Sequence, residues 1–292
     1  MSKTIKIVCI SDTHAQTYSK AFPEIPNGDI LIHAGDFTLN GQESNIGQFN
    51  DWLGTLPHHW KIVIAGNHDK MFDSNLSQNS KEMKKLLTNC FYLEESSVLI
   101  EGIRFYGAPF SIKNEFSQNN AFALNTHDLA SKWAKIPSDT DIVITHSPPY
   151  GINDIGDWGN NDGCKHLLKE VTERIKPKFH VFGHVHPANG RQEIGGTTFI
   201  NASIGKTNYQ TPIVIEYVPT FIKGFIWSRL AIIVNSLLLL WMGDGAARHH
   251  YALPFARTSS VAVTLKIRNE MKMICSRKRL GYIFERKRPS QG

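Results

Sequence analysis

The sequence predicts an α/β fold of sheet layers covered by helices over residues 1–218, with a C-terminal tail outside it. Three observations carry the prediction. Short apolar runs rich in β-formers recur through the first 218 residues, each closing on a polar cluster. Amphipathic segments lie between those runs, and strands alternating with helices are the mark of α/β architecture. Charge divides the chain in two: residues 1–218 hold 19 basic and 23 acidic side chains, whereas residues 219–292 hold 13 and 3. The formal charge of +6 on the 292 residues therefore belongs to the tail. At 41% hydrophobic and 20% charged, the chain has the apolar material for a real core, which excludes a wholly disordered protein.

In chain order, the apolar runs are Ile5–Ile10 before Ser-Asp-Thr-His, Ile30–His33 before Ala-Gly-Asp, and Lys61–Ile64 before Ala-Gly-Asn-His-Asp. Ile142–Ile144 before Thr-His-Ser and His180–Phe182 before Gly-His-Val-His complete the series. Runs this short, bounded by glycine or proline, fit buried strands better than helices. Helices are expected around Glu43–Leu53, Lys81–Leu87, Thr126–Ala134 and Gly163–Ile175. Val98–Ile100 and Ile103–Tyr106 flank Glu101-Gly102 as a hairpin, and Thr197–Asn201 and Ile213–Tyr217 read as closing strands. Ligands of such folds gather at strand C-termini.

Five clusters fall at those C-termini: Asp12-x-His14, Gly35-Asp36, Gly66-Asn67-His68-Asp69, Thr145-His146 and Gly183-His184-Val185-His186. Singly, each has an ordinary reading. Asp12 and Asp36 would serve as turn or cap residues, Asn67 as a left-handed turn residue, and His146 or His184 as a satisfied core histidine. Together they place carboxylates, imidazoles and an amide oxygen at the edge of one predicted sheet. Unpaired burial there is costly, and metal coordination removes the cost. The four cysteines (Cys9, Cys90, Cys164, Cys275) are too scattered for a disulfide framework or a thiolate zinc site.

The five clusters, in this order, resemble the D-x-H, G-D, G-N-H-D/E, H and G-H-x-H blocks of the calcineurin-like metallophosphoesterase superfamily, from about Ile5 to Tyr217. The segments Phe105–Phe110, Thr145–Pro149 and Lys178–Asn201 resemble its metallophosphoesterase-domain-containing branch. The resemblance implies a layered β-sandwich flanked by helices, the metallo-dependent phosphatase fold. It also implies one metal held by Asp12, His14, Asp36 and His186, and a second held by Asp36, Asn67, His146 and His184, with Asp36 as the bridge. The mixed oxygen and nitrogen donors suit two divalent ions, Mn, Fe or Zn, with manganese the expectation. Two cations about 3.5–4 Å apart acidify a bridging water and clamp phosphate oxygens. The implied activity is phosphoester hydrolysis by a metal-activated hydroxide, most naturally a phosphodiesterase on small nucleotides or cyclic nucleotides. His68 is expected to protonate or stabilise the leaving oxygen, and Asp69 to orient His68. A helix N-cap is the competing reading for Asp69. The competing function is a noncatalytic, metal-binding regulatory protein of the same fold.

Other features are weaker. The Gly/Asn/Asp-rich segment Ser147–Cys164 follows His146, and its Tyr150, Asn153 and Trp158 are candidates to touch a substrate ring, against the plainer reading of a surface loop. His58-His59 reads as a solvated turn, His127 and His166 as surface or packing residues on helices. Gly28-Asp29 and Gly205-Lys206 lack the strand-to-helix context of a phosphate cradle. The acidic residues 1–218 argue against stable nucleic-acid binding.

After Val218-Pro219 the character changes. Phe225–Met242 is apolar but contains Arg229 near one end, so membrane contact through 225–242 is allowed but not favoured. The remainder is basic and without periodicity, which reads as a disordered or artefactual tail. MSKTIKIVCISDTH has no secretory h-region, and the expectation is a cytoplasmic enzyme.

Overall fold

The computed structural model describes residues 3–205 and 209–219. The chain runs through β1 (Ile5–Ile10), β2 (Ile30–His33), α1 (Glu43–Thr55), β3 (Trp60–Val63), α2 (Ser80–Leu86), β4 (Phe91–Tyr92), β5 (Ser96–Ile100) and β6 (Ile103–Ala108). There follow β7 (Ser111–Ile112), β8 (Ala123–Leu124), α3 (Thr126–Trp133), β9 (Ile142–Thr145) and α4 (Lys165–Lys169), which continues as π-helical turns through Ile175. β10 (Phe179–Phe182), β11 (Gly190–Ile194), β12 (Thr197–Asn201) and β13 (Ile213–Tyr217) complete the series.

The strands form two main sheets. In the first, ordered β13-β1-β2-β3-β4, only β13 is antiparallel to its neighbour. In the second, ordered β11-β12-β10-β9-β6-β5, the inner strands are parallel and the two outer ones antiparallel. The site clusters therefore do not share the edge of one sheet, as the sequence suggested. β1, β2 and β3 lie in the first sheet, β9 and β10 in the second.

Strand alternation explains the layering, because successive side chains point to opposite faces. Ile7, Cys9, Ile30, Ile32 and Ile62 of the first sheet pack with Phe105, Ile142, Ile144, Val181 and Ile200 of the second in one buried cluster between the sheets. The alternate residues Val8, Leu31 and Val63 join Phe49 and Leu53 of α1, while Val143, Phe182 and Phe199 join Trp133 of α3 and Leu167 of α4. Each such fully buried side chain is worth about 1.5–3 kcal/mol relative to exposure. Both faces of the central strands are thus covered, while the edge strands β5 and β11 are largely exposed.

Four strands escaped sequence reading. β4, β7 and β8 have two residues each, too few for a period, and β11 is Gly-Arg-Gln-Glu-Ile, an exposed edge strand without apolar alternation. His58 departs from the solvated-turn expectation: it is buried, with Nε2 3.0 Å from the Pro26 carbonyl, whereas His59 is exposed. His127 and His166 are exposed, as surface helical residues should be. Asp29 accepts from Lys3 Nζ and Lys6 N–H, a strand brace, not a phosphate loop. Among the described residues no helix is long and apolar enough to cross a membrane. Phe225–Met242, Lys206 and the basic runs of the tail lie outside the described residues.

Candidate metal centre

Each of the seven proposed ligands follows the C-terminal end of a strand. Asp12 and His14 follow β1, Asp36 follows β2, Asn67 follows β3, His146 follows β9, and His184 and His186 follow β10. The chain must turn sharply there, and Asp12, His14, Asp36 and His184 take positive φ of 57°, 43°, 56° and 71°. Left-handed backbone costs a residue with a Cβ about 1–2 kcal/mol, and these four candidate ligands carry that strain.

A glycine precedes three of the candidate ligands, Asp36, Asn67 and His184, where the chain is closely approached by its neighbours. A Cβ on Gly66 would fall on Asp36 Oδ1 and the His146 ring, and one on Gly183 on Ser11 and Asp12 Oδ2. A Cβ on Gly35, at φ +101°, would meet His146 and the Ala65 carbonyl.

Among the described residues the donors fall into three overlapping groups, of which one, His14, Asp36 and His68, links the other two. Asp12, His14 and His186 form the first, with His14 Nε2 3.1 Å from His186 Nε2 and His186 Nε2 3.5 Å from Asp12 Oδ1. Asp36, His146 and His184 form the second. Asn67 Oδ1 joins it, 2.9 Å from His146 Nε2 and 2.8 Å from His184 Nδ1. Asp36 Oδ2 lies 3.4 Å from His146 Nε2, and 3.9 Å from both His14 Nε2 and His68 Nε2, so it faces both groups. His146 Nδ1 donates to the Ala34 carbonyl at 2.9 Å, which leaves Nε2 with its lone pair toward the cleft.

These residues fit metal ions. Asp12 Oδ1 is buried without a hydrogen-bond partner, and ring nitrogens of His146 and His184 sit 3.2 Å apart. Two lone pairs so close need a proton or a cation between them, and spacings near 3 Å suit neighbouring ligands in a shell with metal–nitrogen distances of about 2.0–2.1 Å. Among the described residues no cysteine takes part, which favours hard and borderline ions over thiophilic ones.

Electrostatics agree. Burial alone would raise Asp12 and Asp36, yet His186 beside Asp12 and His146 beside Asp36 outweigh it and hold both carboxyls below the usual range. Burial would lower His146, but Asp36 drives it up to about 9, while burial and the neighbouring His146 push His184 down to about 4.

A family model for calcineurin-like phosphoesterases matches residues 5–188. The chain belongs to the calcineurin-like phosphoesterase family. Metallophosphoesterase domain-containing protein 1 of Homo sapiens is 41% identical over 235 residues, spanning 72% of this chain and 70% of that protein. The UPF0046 protein C25E10.12 of Caenorhabditis elegans is 40% identical over 215 residues, spanning 68% and 75%. A solved structure of 14% identity aligns over 73% of this chain and 95% of its own with a TM-score of 0.55, a likeness of fold alone. Membership in the calcineurin-like phosphoesterase family implies metal-dependent phosphoester hydrolysis, and the Asp/His groups are where such a member would hold its metals.

Two supporting roles differ from expectation. Asp69 does not orient the His68 ring. Its buried carboxylate accepts from the N–H groups of Asp36, Thr38 and Gly66 at 2.8–3.0 Å and from Thr38 Oγ1 at 2.7 Å. It ties the loops after β2 and β3 together, against burial and the Asp36 charge, which push it up to about 7. Nor does its side chain cap the 3₁₀ turn Lys70–Phe72 that follows. The His68 ring is instead fixed by the Leu39 carbonyl, 2.7 Å from Nδ1, a main-chain partner invisible in sequence.

The segment Ser147–Cys164 folds on itself around Asp154, which accepts from Gly151 N–H, Gly163 N–H and Asn161 Nδ2. Tyr150 lies under Lys165 Nζ at 4.8 Å, and Asn153 bonds to the Ala188 carbonyl and, through its own carbonyl, to Asn201. Of the three ring-contact candidates, Trp158 lines the cleft and Tyr150 and Asn153 do not. Sequence reading also missed Asn119, whose side chain approaches His68, and the buried pair His33 and His180, which bond to Thr13 and Thr145 beside the ligands.

Proposed function

We propose that the protein is a phosphodiesterase acting on small nucleotides, cyclic nucleotides included, with two divalent ions, manganese by preference, at Asp12, His14, His186 and at Asn67, His146, His184, bridged by Asp36. The observation that carries this reading is the lining of the cleft. It measures about 860 Å³, within the usual range for small-molecule sites, and four of the seven candidate donors, Asp36, Asn67, His184 and His186, line it. Among the described residues, apart from Asp36 and the histidines, its charged lining residues are Lys113, Glu115, Asp157 and Asp162, with no arginine, and Lys113 is paired with Glu115 at 2.9 Å. A dianionic phosphomonoester would meet carboxylates without a guanidinium clamp, whereas a diester carries one charge for the ions to neutralise. Phe116 and Trp158, 99% and 92% exposed, line the same cleft, and offer flat apolar faces to a base.

When bound, the ions supply an acidified water and neutralise charge on the phosphate. The chain's own residues do the rest. Asp36 and Asn67 fix the spacing of the two donor groups, and the His68 Nε2 proton goes to the leaving oxygen while Leu39 holds the ring.

The test is a substrate panel on the full chain loaded with Mn²⁺. Cyclic nucleotides and dinucleotides should turn over at least about 10-fold faster than phosphoserine peptides or duplex DNA; equal turnover of phosphoserine peptides would overturn the preference. His68→Ala should keep both ions by elemental analysis and lose about 100-fold or more in turnover of a cyclic nucleotide, in the range expected of a general acid.

A further inference from the structure

We propose that Asn119 is a positioning residue of this centre, a bracket that sets the amide of Asn67 toward the metals and holds the far nitrogen of the His68 ring. The inference rests on the phosphoesterase reading above and adds to it a residue from a loop that none of the five sequence clusters contains.

The bracket has two arms. The Asn119 main-chain carbonyl accepts from Asn67 Nδ2 at 3.0 Å. An amide has one donor end and one acceptor end, so engaging Nδ2 turns Oδ1 the other way, onto His146 Nε2 and His184 Nδ1. The second arm is the Asn119 side chain, with Nδ2 3.4 Å from His68 Nε2. Since Leu39 takes the opposite nitrogen, the ring is held at both ends. Asn119 Oδ1 is buried and makes no hydrogen bond. With Leu39 at one nitrogen and Asn119 at the other, the ring has little freedom to turn.

The bracket is anchored. Asn119 N–H donates to Ser117 Oγ at 3.0 Å, Ser117 Oγ donates back to the Asn119 carbonyl at 3.3 Å, and Ala121 N–H donates to the Asn67 carbonyl at 3.2 Å. Asn120 Nδ2 closes the loop onto the carbonyls of Asn114 and Ser117. The loop after β7 is thereby locked to the loop after β3.

Asn119→Ala removes the second arm and keeps the first, because the carbonyl remains. In the full chain loaded with Mn²⁺, the variant should retain both ions by elemental analysis. With a diester whose leaving group is an alkyl alcohol, kcat should fall about 10- to 100-fold with KM unchanged, the scale of a small misplacement of a catalytic group. With a p-nitrophenyl leaving group, which departs without a proton, kcat should fall less than about 3-fold. In a His68→Ala background, Asn119→Ala should cost nothing further. Equal losses on both leaving groups, or losses that add to those of His68→Ala, overturn the proposal. A readout independent of turnover separates its failure from that of the phosphoesterase reading: in metal-free protein, Asn119→Ala should move the His68 Nε2 nitrogen resonance and leave Nδ1 in place. An unmoved Nε2 resonance overturns the bracket whatever the enzyme hydrolyses. Asn119→Asp, nearly equal in volume, gives the same resonance test should the alanine variant fold poorly.

Discussion

The half of the centre carried by β1, β2 and β3 is built mainly from oxygen donors, and the half carried by β9 and β10 wholly from imidazoles. Asp12, Asp36 and Asn67 come from the first sheet with a single histidine, His14; His146, His184 and His186 come from the second. The first half brings the negative charge and the second brings ring nitrogens. Neither is stable alone in a dry interior: the carboxylates would rise without the histidines, and the histidines would resist a positive ion without the carboxylates. Cross-sheet contacts enforce the marriage. His184 N–H donates to Asp12 Oδ2 at 2.9 Å and His146 Nδ1 to the Ala34 carbonyl, so each half positions a ligand of the other.

The comparison breaks first at Asp36, the one residue facing both groups. Asp36→Asn keeps the volume and an oxygen to accept from His68 N–H, at 2.8 Å in the native protein, but removes the charge. Both ions should be lost and activity should fall at least about 1000-fold. Asp12→Asn and His184→Gln should each empty one position and leave the other filled. Elemental analysis of the three proteins is the check, and retention of two ions by Asp36→Asn would end the bridging assignment.

A smaller effect separates the two glycines that let the halves meet. On Gly66, an added methyl would strike Asp36, and on Gly183 it would strike Asp12. Gly66→Ala should therefore weaken both metals and Gly183→Ala mainly the one at Asp12, each by about 10-fold or more. Overpacking should also cost each about 1–3 kcal/mol of stability. Metal titration by calorimetry, set beside thermal unfolding of metal-free protein, distinguishes the two patterns.

How much of this was legible beforehand follows the kind of interaction. The seven candidate ligands and His68, which the structure brings together, could be singled out because metal chemistry restricts such candidates to a few residue types at strand ends, and β1, β2, β12 and β13 emerged with the bounds expected because their apolar runs are long enough to show. Division of the strands between two sheets was not legible, since β3 and β9 carry the same local signal whichever sheet they join. Asp69 misled because an acid after a histidine looks like its partner, when backbone geometry aims it at three N–H groups instead. Leu39 and Asn119 gave no sign, because a main-chain carbonyl has no letter of its own and the Ser117–Asn120 turn resembles any surface loop.

His33 and His180, too, sit in apolar runs as single polar letters, and they sharpen the comparison by making the two halves alike beneath their ligands. Each is a buried histidine on a central strand, bonded through Nε2 to a threonine beside a ligand: Thr13 at 3.0 Å in the first half, Thr145 at 2.8 Å in the second. Gly35 N–H donates to His33 Nδ1, and Thr145 Oγ1 spends its own proton on the Ser147 carbonyl, so in both histidines Nε2 carries the hydrogen and the ring is neutral. Burial is the first cause that lowers both, to about 3, from an ordinary 6.5. Between those values the unfolded chain binds protons that the folded protein refuses, so stability is whole above pH 6.5 and drains away as pH falls toward 3. The slope should approach about 1.4 kcal/mol per pH unit for each histidine. Urea unfolding of metal-free protein from pH 6 to 4.5 measures it, and His180→Gln should remove one histidine's share, leaving His33 alone to report on the first half. A slope unchanged in that variant would mean that the second sheet's support does not depend on a neutral ring.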